Sequence, residues 1–283
     1  IAMANVDKAR ALARVERAEL FPEIEANPSI ERARTSPNAT TFGIASTTTS
    51  FKVPVDLSYE IDFWGRVRKS FAAGTALAEA EAAAYRIVLL TLTADVARTY
   101  FEIGALDAEI DALKQAVDLR QRAVDLLDLR FKQGMNSELT FFQAQTQLAQ
   151  AQADLVDSQR RRENKVNTLA VLCGQSASDF TLEIKKLSVA VVKIPSGVPS
   201  DVLKNRPDII EAERLMAAAN EKVGIAQASF FPSITLTGSA GYNSLKAGNI
   251  FDWESRIWSI GPSLSLPIFN GGRLNAELQA EKA

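Results

Sequence analysis

The segment VERAELFPEI at residues 15–24 recurs as IAQASFFPSI at residues 225–234. The two copies share an aliphatic first residue, an alanine, a Phe-Pro pair and a final isoleucine, all at an offset of 210 residues. Downstream of each copy come an alternating apolar and polar run and then a Gly-Arg pair, at residues 65–66 and 272–273. This repeat predicts two copies of one unit, made of a helix, two strands and a long helix.

The clearest strand signal lies at residues 49–61, where apolar and polar side chains alternate strictly. At about 3.3 Å per residue such a strand spans roughly 40 Å, enough to cross a bilayer at a tilt. The pattern returns more weakly at residues 233–242 and 258–268, and residues 23–35 predict a fourth strand interrupted by Pro28. A soluble sandwich with one buried face is the alternative, but the strand length and the small polar partners favour a barrel wall.

Four strands in one chain are too few to close a barrel. Transferring the six apolar side chains between Phe51 and Ile61 out of water is favourable by roughly 10–20 kcal/mol in total. In lipid, however, an open sheet edge leaves backbone groups without hydrogen-bond partners. The pattern therefore predicts that several chains supply one barrel between them.

A heptad pattern follows the first Gly-Arg pair. At alternating steps of three and four residues from Leu89 to Phe131, every position is apolar except Thr99 and Arg120. This pattern indicates left-handed supercoiling, and a helix counted from Arg66 would run about 65 residues, or roughly 100 Å. We expect the alanine-rich residues 72–84 to permit close helix contact, and Arg120 to fix the register or pair with another chain.

The heptad pattern ends at residues 131–137. Gly134 suits a left-handed helix end, and Asn136 or Ser137 can cap the next helix. A return helix is predicted to about Leu172. A linker at 174–205 follows, with a short β-like stretch at 187–194, and Pro207 fits the first turn of a further helix.

The composition argues against catalysis and against nucleic-acid binding. There are 32 lysines and arginines against 34 acidic residues, and histidine, the commonest general base and metal ligand, is absent. We therefore predict no enzyme activity, no catalytic residue, no cofactor, no metal and no nucleic-acid partner. The single cysteine, Cys173, is expected to be a buried thiol near a helix end.

We see no signal-peptide pattern in the first residues, and because no apolar run of about 18 residues occurs in the chain, we expect no transmembrane helix. We expect the chain to be a processed or trimmed piece of a longer protein.

Several motifs together resemble one family. They are GVPSDVL at 197–203, RPDI at 206–209, AAAN at 217–220 and AQASFFPSITLTG at 226–238. This set closely resembles a block of TolC-like outer-membrane efflux channels (the outer-membrane factor family), specifically the lipoprotein subgroup serving resistance-nodulation-division pumps. DFWGR at 62–66 and PIFNGGR at 267–273 resemble the family's two strand-to-helix junctions, and Arg130-Phe131 with Gly134 and Ser137 resembles its periplasmic hairpin tip.

The resemblance implies a mainly α fold with membrane β structure. In that family three copies form a homotrimer, and each copy gives four strands to a twelve-stranded outer-membrane barrel in contact with lipid. Long coiled-coil hairpins form an α-barrel that extends into the periplasm and docks onto an adaptor (membrane fusion) protein and an inner-membrane pump. By the same resemblance, a lipidated N-terminus and a second hairpin with acidic gating residues are expected outside this piece.

The resemblance also divides the chain into predicted segments. These are a periplasmic helix at 1–22, a first barrel hairpin at 23–63, a long periplasmic hairpin at 64–173 with its tip near 132–137, an equatorial linker at 174–206, a second periplasmic helix at 207–229, a second barrel hairpin at 230–269, and the start of a second long helix at 270–283.

Two sets of functional residues follow from the resemblance. We expect the tip residues to contact the adaptor; they are Arg130, Lys132, Gly134, Met135, Asn136 and Ser137. The strand-to-helix junctions are expected at Trp64, Gly65, Arg66, Gly271, Gly272 and Arg273.

The function implied is that of a passive outer-membrane exit channel for small molecules in a tripartite efflux pump. The alternatives are the outer-membrane duct of a type I protein secretion system and a soluble coiled-coil scaffold or pore-former. The motif at 206–208 favours the pump, and the long strands disfavour a soluble scaffold.

Overall fold

The computed structural model describes residues 1–39, 45–183 and 203–283. The helices in these ranges are α1 (Ala2–Ala18), α2 (Arg66–Lys132), α3 (Glu138–Leu172), α4 (Pro207–Ala228) and α5 (Arg273–Lys282). The 67 residues of α2 confirm the predicted long helix. The chain divides into two compact units, Ile1–Arg86 with Pro199–Ala283, and Ile87–Val198.

The strands form one antiparallel sheet in the first unit. They are β1 (Glu23–Ala26), β2 (Ser29–Thr35), β3 (Ser46–Glu60), β4 (Ser233–Ser244) and β5 (Arg256–Ser265). Their order is β1 and β2 together, then β3, β4 and β5. Short 3-10 turns lie at Pro37–Ala39, Ala247–Asn249 and Trp253–Ser255.

The predicted fourth strand is split into β1 and β2, which pair along the same side of β3. Ile24 lies opposite Leu57 and Ile30 opposite Phe51, so the register is continuous across the gap. Pro28 cannot donate a ladder hydrogen bond, and the regular pairing is interrupted there. The prediction of four strands with a break at Pro28 is therefore confirmed.

The last strand is shorter than the alternating pattern suggested. The pattern ran to Ile268, but β5 ends at Ser265, which pairs with Ser233 at the start of β4. The ladder stops there because Pro232 and Pro267 flank this pair and neither can donate a backbone hydrogen bond.

Polar pairs and small residues join the helices of the first unit. Ser70 Oγ on α2 donates to Glu16 on α1, and Lys69 Nζ pairs with Glu221 on α4 at 3.1 Å. A Cβ at Gly74 would lie 3.4 Å from the Cα of Ala13, so α1 and α2 approach closely at this glycine. The alanine-rich start of α2 is buried at Ala73, Ala76, Ala78, Ala80 and Ala83, in agreement with the predicted close contact.

In the second unit, α2 and α3 form an antiparallel hairpin, and the heptad positions of α2 face α3. From Val96 to Leu127 these positions are buried or half-buried, and Ile103 packs in a core with Val166 and Leu169 on α3. Leu89 and Leu92, at the start of the heptad pattern, remain exposed. Arg120 donates through Nη1 to the backbone carbonyl of Gln147 at 2.8 Å, so it joins the two helices of one hairpin.

The residue after α3 differs from the sequence-based expectation. Cys173 is exposed, so the prediction of a buried thiol is wrong: it is the residue after the last helical turn, where its side chain leaves the packed helix face.

Much of the predicted linker at 174–206, including the β-like stretch at 187–194, lies outside the described residues. Among the helices that the structure describes, none has a stretch apolar enough to cross a membrane.

Candidate functional site

One face of the sheet is largely apolar, with Arg32, Arg34 and Arg256 as charged exceptions. The alternation along β3 places Phe51, Val53, Val55, Leu57 and Tyr59 on the same side. The strand register adds apolar residues to the same face from each of the other four strands, namely Ile24, Ala26, Ile30, Ile234, Leu236, Ala240, Tyr242, Trp258, Ile260 and Leu264.

Much of this face is uncovered in the chain. On β5, Trp258 is 79% exposed and Ile260 68% exposed, and at the opposite edge Ile30 is 72% exposed. A soluble monomer rarely leaves a contiguous apolar surface of this extent in water. An exposed apolar face of this kind marks a contact with a membrane or with another protein.

The opposite face carries small and charged side chains. Its members include Lys52, Asp56, Ser58, Thr235, Thr237, Ser239, Asn243, Ser259 and Ser263, with Ile257 as an apolar exception. Glu25 lies directly opposite Asp56 across the strand pair. Two facing carboxylates repel each other unless water screens them, so this face is suited to an aqueous space.

The first junction is held by an aromatic contact with the second repeat. The indole Nε1 of Trp64 donates to the carbonyl of Pro232 at 2.8 Å, and its ring stacks on Phe231 with centroids 4.6 Å apart. Arg66 begins α2 and makes a bidentate ion pair with Glu60, in which Nε donates to Oε1 at 2.9 Å and Nη2 to Oε2 at 2.7 Å. Trp64 and the Phe-Pro repeat are both recognisable in the sequence, but no sequence pattern indicates that they are in contact.

Left-handed glycines turn the chain at both junctions. Gly65 has φ 81° directly before α2, and Gly272 has φ 88° directly before α5. These angles are accessible to glycine and strained for other residues, which accounts for the repeated Gly-Arg pair. Gly271 also has positive φ, and Arg273 pairs with Glu277 at 2.8 Å.

The predicted tip residues come together in the turn between α2 and α3. Met135 N–H donates to the carbonyl of Arg130 and Gly134 N–H to that of Phe131, both at 2.9 Å, which is a Schellman end with Gly134 at φ 70°. Ser137 rather than Asn136 caps α3, because its Oγ accepts from Thr140 N–H at 3.3 Å. Lys132 pairs with Asp128 at 2.6 Å.

The tip also presents apolar side chains. Met135 is 65% exposed, and Leu139 and Phe142, which the sequence prediction did not include, are exposed beside it. Phe131 stacks on Phe141 with centroids 6.1 Å apart, so the two helices are braced directly behind the turn. A turn held so firmly can present its apolar side chains to a partner with little loss of conformational entropy.

A ladder of ion pairs fixes the register of the hairpin farther from the tip. Lys165 pairs with Glu102 at 2.7 Å, and Arg161 pairs with Glu109 at 2.5 Å. The hydrogen bond from Ser158 to Glu109, at 2.7 Å, lowers the pKa of that carboxyl; burial opposes the shift, and Arg161 adds to it. The side-chain hydrogen bond from Lys165 lowers the pKa of Glu102 in the same way. Both carboxylates are therefore ionised and paired at neutral pH.

Metal-binding groups do not assemble in the part of the chain described. Within residues 1–39, 45–183 and 203–283, no three carboxylate or cysteine side chains converge to hold a metal ion. What the structure brings together are surfaces: a two-faced sheet, two junctions and a braced tip.

The sequence matches the profile of the Outer membrane efflux protein family over residues 2–175 and 198–283. The chain belongs to this outer membrane efflux protein family. The match includes both Phe-Pro segments, both Gly-Arg junctions and the hairpin tip, so the family assignment rests on the same elements as the fold.

Individual relatives of this chain agree with the family assignment. The solvent efflux pump outer membrane protein SrpC of Pseudomonas putida is 36% identical over 98% of this chain and 59% of its own length. The outer membrane protein OprJ of Pseudomonas aeruginosa is 31% identical over 99% of this chain and 59% of its length. The chain thus spans about 59% of the length of these curated relatives.

Solved structures share the fold of this chain. The Campylobacter jejuni CmeC outer membrane channel superposes with a TM-score of 0.92 at 27% identity, over 99% of this chain and 61% of that one. A membrane protein from Pseudomonas aeruginosa gives a TM-score of 0.92 at 30% identity, over 99% and 66% of the two chains. The mixed fold of a long helical hairpin and a β-sheet is therefore that of outer-membrane channels.

Proposed function

We propose that this chain is part of the outer-membrane exit channel of a tripartite efflux pump, a passive conduit for small molecules leaving the cell. The observation that carries the proposal is the two-faced sheet, apolar on one side and polar on the other along most of β3, β4 and β5. Such a sheet fits a wall between lipid and a water-filled passage. The family and the relatives described as efflux pump outer membrane proteins support the same function.

The proposed assembly is a homotrimer in which each copy gives four strands to a twelve-stranded barrel. Outer-membrane lipid covers the apolar face, and the helical hairpins extend into the periplasm. Isolated four-stranded sheets cannot exist in lipid because their edge N–H and C=O groups would be unsatisfied. A shared barrel removes these edges, and the proposal requires no catalytic step and no cofactor.

The proposed partners at the hairpin tip are a periplasmic adaptor protein and, through it, an inner-membrane pump. The exposed Met135 would sit in an apolar pocket of the adaptor, while Arg130, Lys132, Asn136 and Ser137 would make polar contacts at the rim. Gly134 lies at the centre of this surface, and a Cβ added there would meet no atom within 4 Å of its own chain. Any effect of a bulky side chain on docking should therefore come from the partner.

The tip assignment can be tested because the chain contains a second glycine in the same backbone setting. Gly174 ends α3 with φ 69°, and the N–H groups of Gly174 and Gln175 repeat the Schellman hydrogen bonds found at Gly134. Gly134→Phe and Gly174→Phe introduce the same left-handed strain at two different places. The measurement is the accumulation of a fluorescent pump substrate in cells that express each variant in place of the wild type.

We expect Gly134→Phe to raise accumulation to the level of cells lacking the protein, while trimer yield in the membrane stays normal. Gly174→Phe should leave export close to wild type. Equal export defects in the two variants would assign Gly134 a helix-ending role only, and normal export in both would remove the tip from the docking surface. If cells lacking the protein accumulate no more substrate than wild type, the channel proposal itself fails.

A further inference from the structure

The apolar face of the sheet ends in two arginines at the end away from α1 and the start of α2. The chain leaves α1, runs along β1 and β2, and returns along β3 into α2, so β2 and β3 meet at that far end. There Arg32 lies opposite Thr49 and Arg34 opposite Thr47. The strand register places all four residues on the same face as Phe51. Two guanidinium groups and two hydroxyl groups therefore follow the apolar residues along this face.

The length of the apolar run places these arginines at the border of a lipid layer. From Tyr59 to Phe51 this face is apolar along β3, a span of about 26 Å at about 3.3 Å per residue. With the strand tilted by about 40°, the span gives a layer about 20 Å thick, close to the apolar band of about 25 Å on membrane barrels. Arg32 lies two residues beyond Ile30, the partner of Phe51, and so sits where the band ends. An arginine is costly in the middle of a bilayer but costs little at this border.

The start of β5, at the same end of the sheet, carries side chains typical of this border. Trp258 lies exposed on the apolar face, and Arg256 lies opposite Tyr242 on that face. Arg256 donates through Nε to the carbonyl of Trp253 at 2.8 Å, and its guanidinium lies 2.7 Å from the centroid of the Trp253 ring. Exposed tryptophans are enriched at the level of lipid headgroups, which agrees with the level assigned to the arginines of β2.

Arg32 and Arg34 differ from Arg256 because their guanidinium groups are unoccupied within the part of the chain that the structure describes. Both residues are exposed, and neither forms a hydrogen bond or an ion pair with a described residue. Glu31, which stands between them in the sequence, lies opposite Ser50 on the other face of the sheet. Two residues on one face of a strand are about 7 Å apart, so two unpaired positive charges lie close together. Such a pair attracts an anion.

We propose that Arg32, Arg34, Thr47 and Thr49 bind the phosphorylated headgroup of a glycolipid in the outer leaflet of the outer membrane. This inference rests on the proposed function, in which the helices lie in the periplasm and the far end of the sheet lies at the cell surface. It adds the chemical class of the lipid and the side chains that hold it.

The chemistry of the four side chains fits this headgroup. A guanidinium binds phosphate oxygens through two parallel N–H donors, and two guanidinium groups about 7 Å apart can hold two phosphates or share one. The hydroxyl groups of Thr47 and Thr49 both donate and accept, which suits the hydroxyl groups of a sugar. Ile30 and Phe51, directly below, offer apolar surface to the acyl chains. A zwitterionic headgroup brings its own cation and gains less from two arginines.

The test measures binding of fluorescently labelled lipid A, a glycolipid with two phosphates, to the full-length protein purified in a non-ionic detergent. The Kd is compared between the wild type and the double variant Arg32→Gln with Arg34→Gln. Lys52→Gln is the matched control, because it removes a cation three residues from Thr49 on the opposite face of β3. Dephosphorylated lipid A is the second probe, and it tests the phosphate contact on the unmodified protein even where the glutamine pair lowers the yield.

We expect the glutamine pair to weaken lipid A binding by about tenfold or more, since hydrogen bonds between charged groups are lost. Lys52→Gln should stay within about twofold of the wild type, because its side chain lies on the other face. Dephosphorylated lipid A should bind more weakly to the wild type and equally to the glutamine pair. Wild-type affinity in the glutamine pair, an equal loss in Lys52→Gln, or equal binding of the two lipids to the wild type would overturn the site.

Competition separates the possible sources of the phosphate. Unlabelled lipid A should displace the labelled lipid, whereas inorganic phosphate and phosphatidylglycerol at the same concentration should displace little. Equal displacement by inorganic phosphate would assign the arginines to a free anion, and equal displacement by phosphatidylglycerol would assign them to any anionic lipid; either result overturns the glycolipid proposal. None of these readouts depends on export, so the channel proposal fails separately, through unchanged substrate accumulation in cells lacking the protein.

Discussion

The buried ion pair between Arg162 and Asp107 gives the sharpest stability prediction for the hairpin. Arg162 Nε on α3 donates to Asp107 Oδ1 on α2 at 2.5 Å, and its Nη2 donates to the carbonyl of Leu182 at 3.3 Å. Only 12% of the arginine side chain and 8% of the aspartate side chain are exposed. Leu182 packs on the Ile103 core, so the guanidinium also anchors the segment after α3.

Replacing Arg162 by Met keeps an unbranched side chain of similar length but leaves the Asp107 carboxylate buried without its cation. Breaking a buried pair in this way costs about 3–5 kcal/mol, since the remaining charge is desolvated and unpaired. Arg160 is the matched control two residues away. It pairs with Asp157 at 2.7 Å, but both side chains are more than half exposed, so Arg160→Met should cost at most about 1 kcal/mol.

The assay is urea unfolding of the detergent-purified protein, followed by the helical circular dichroism signal. We expect a large drop in the midpoint for Arg162→Met and almost none for Arg160→Met. The double variant Arg162→Met with Asp107→Leu should recover most of the loss, because no buried charge remains. Equal midpoints for the two single arginine variants, or no recovery in the double variant, would refute the reasoning.

Three further predictions concern other parts of the molecule. Gly241→Ala should strongly reduce the yield of folded protein in outer membranes, because its Cβ would lie 2.7 Å from the Cα of Pro54 on the neighbouring strand. Gly261→Ala on the edge strand, where a Cβ meets nothing within 4 Å, should fold normally; equal yields would contradict this account. Trp64→Leu removes a ring stack and a hydrogen bond, so its unfolding free energy should fall by about 1–3 kcal/mol in urea titration. Because the pKa of Glu109 is lowered in the fold, its ion pair stabilises the hairpin above about pH 4.5 and is lost as the pH falls further. The thermal midpoint should therefore drop below that pH, and less so in Glu109→Gln; identical pH profiles would exclude Glu109 as a contributor.

Long periodic segments were predictable from the sequence because one physical pattern dominates each of them. The heptad positions from Val96 to Leu127 are buried or half-buried, and the alternating run around Phe51 is an inner strand of the sheet. Pro28 interrupts the strand because it cannot donate a ladder hydrogen bond, and Gly134 ends α2 because glycine can adopt positive φ. These features depend on the local backbone and side-chain pattern, which can be read from neighbouring residues in the sequence.

Contacts between distant segments were not predictable in the same way. The stack of Trp64 on Phe231 joins residues 168 positions apart in the sequence, and no local pattern encodes such a pairing. The sequence does not show that Gly241 must be glycine, because this requirement comes from its position opposite Pro54 on the neighbouring strand. Cys173 was misjudged because proximity to an apolar helix end does not determine which way the residue after that end points.

The central claim is that the sheet separates lipid from a water-filled passage, and neighbouring residues of β3 test it most directly. Val55 lies on the apolar face and Asp56 on the polar face. In a Cys173→Ser background, Val55→Cys and Asp56→Cys would be exposed to a charged, water-soluble maleimide in intact outer membranes. We predict rapid labelling at residue 56 and protection at residue 55. Equal labelling at both positions, or faster labelling at residue 55, would contradict the account.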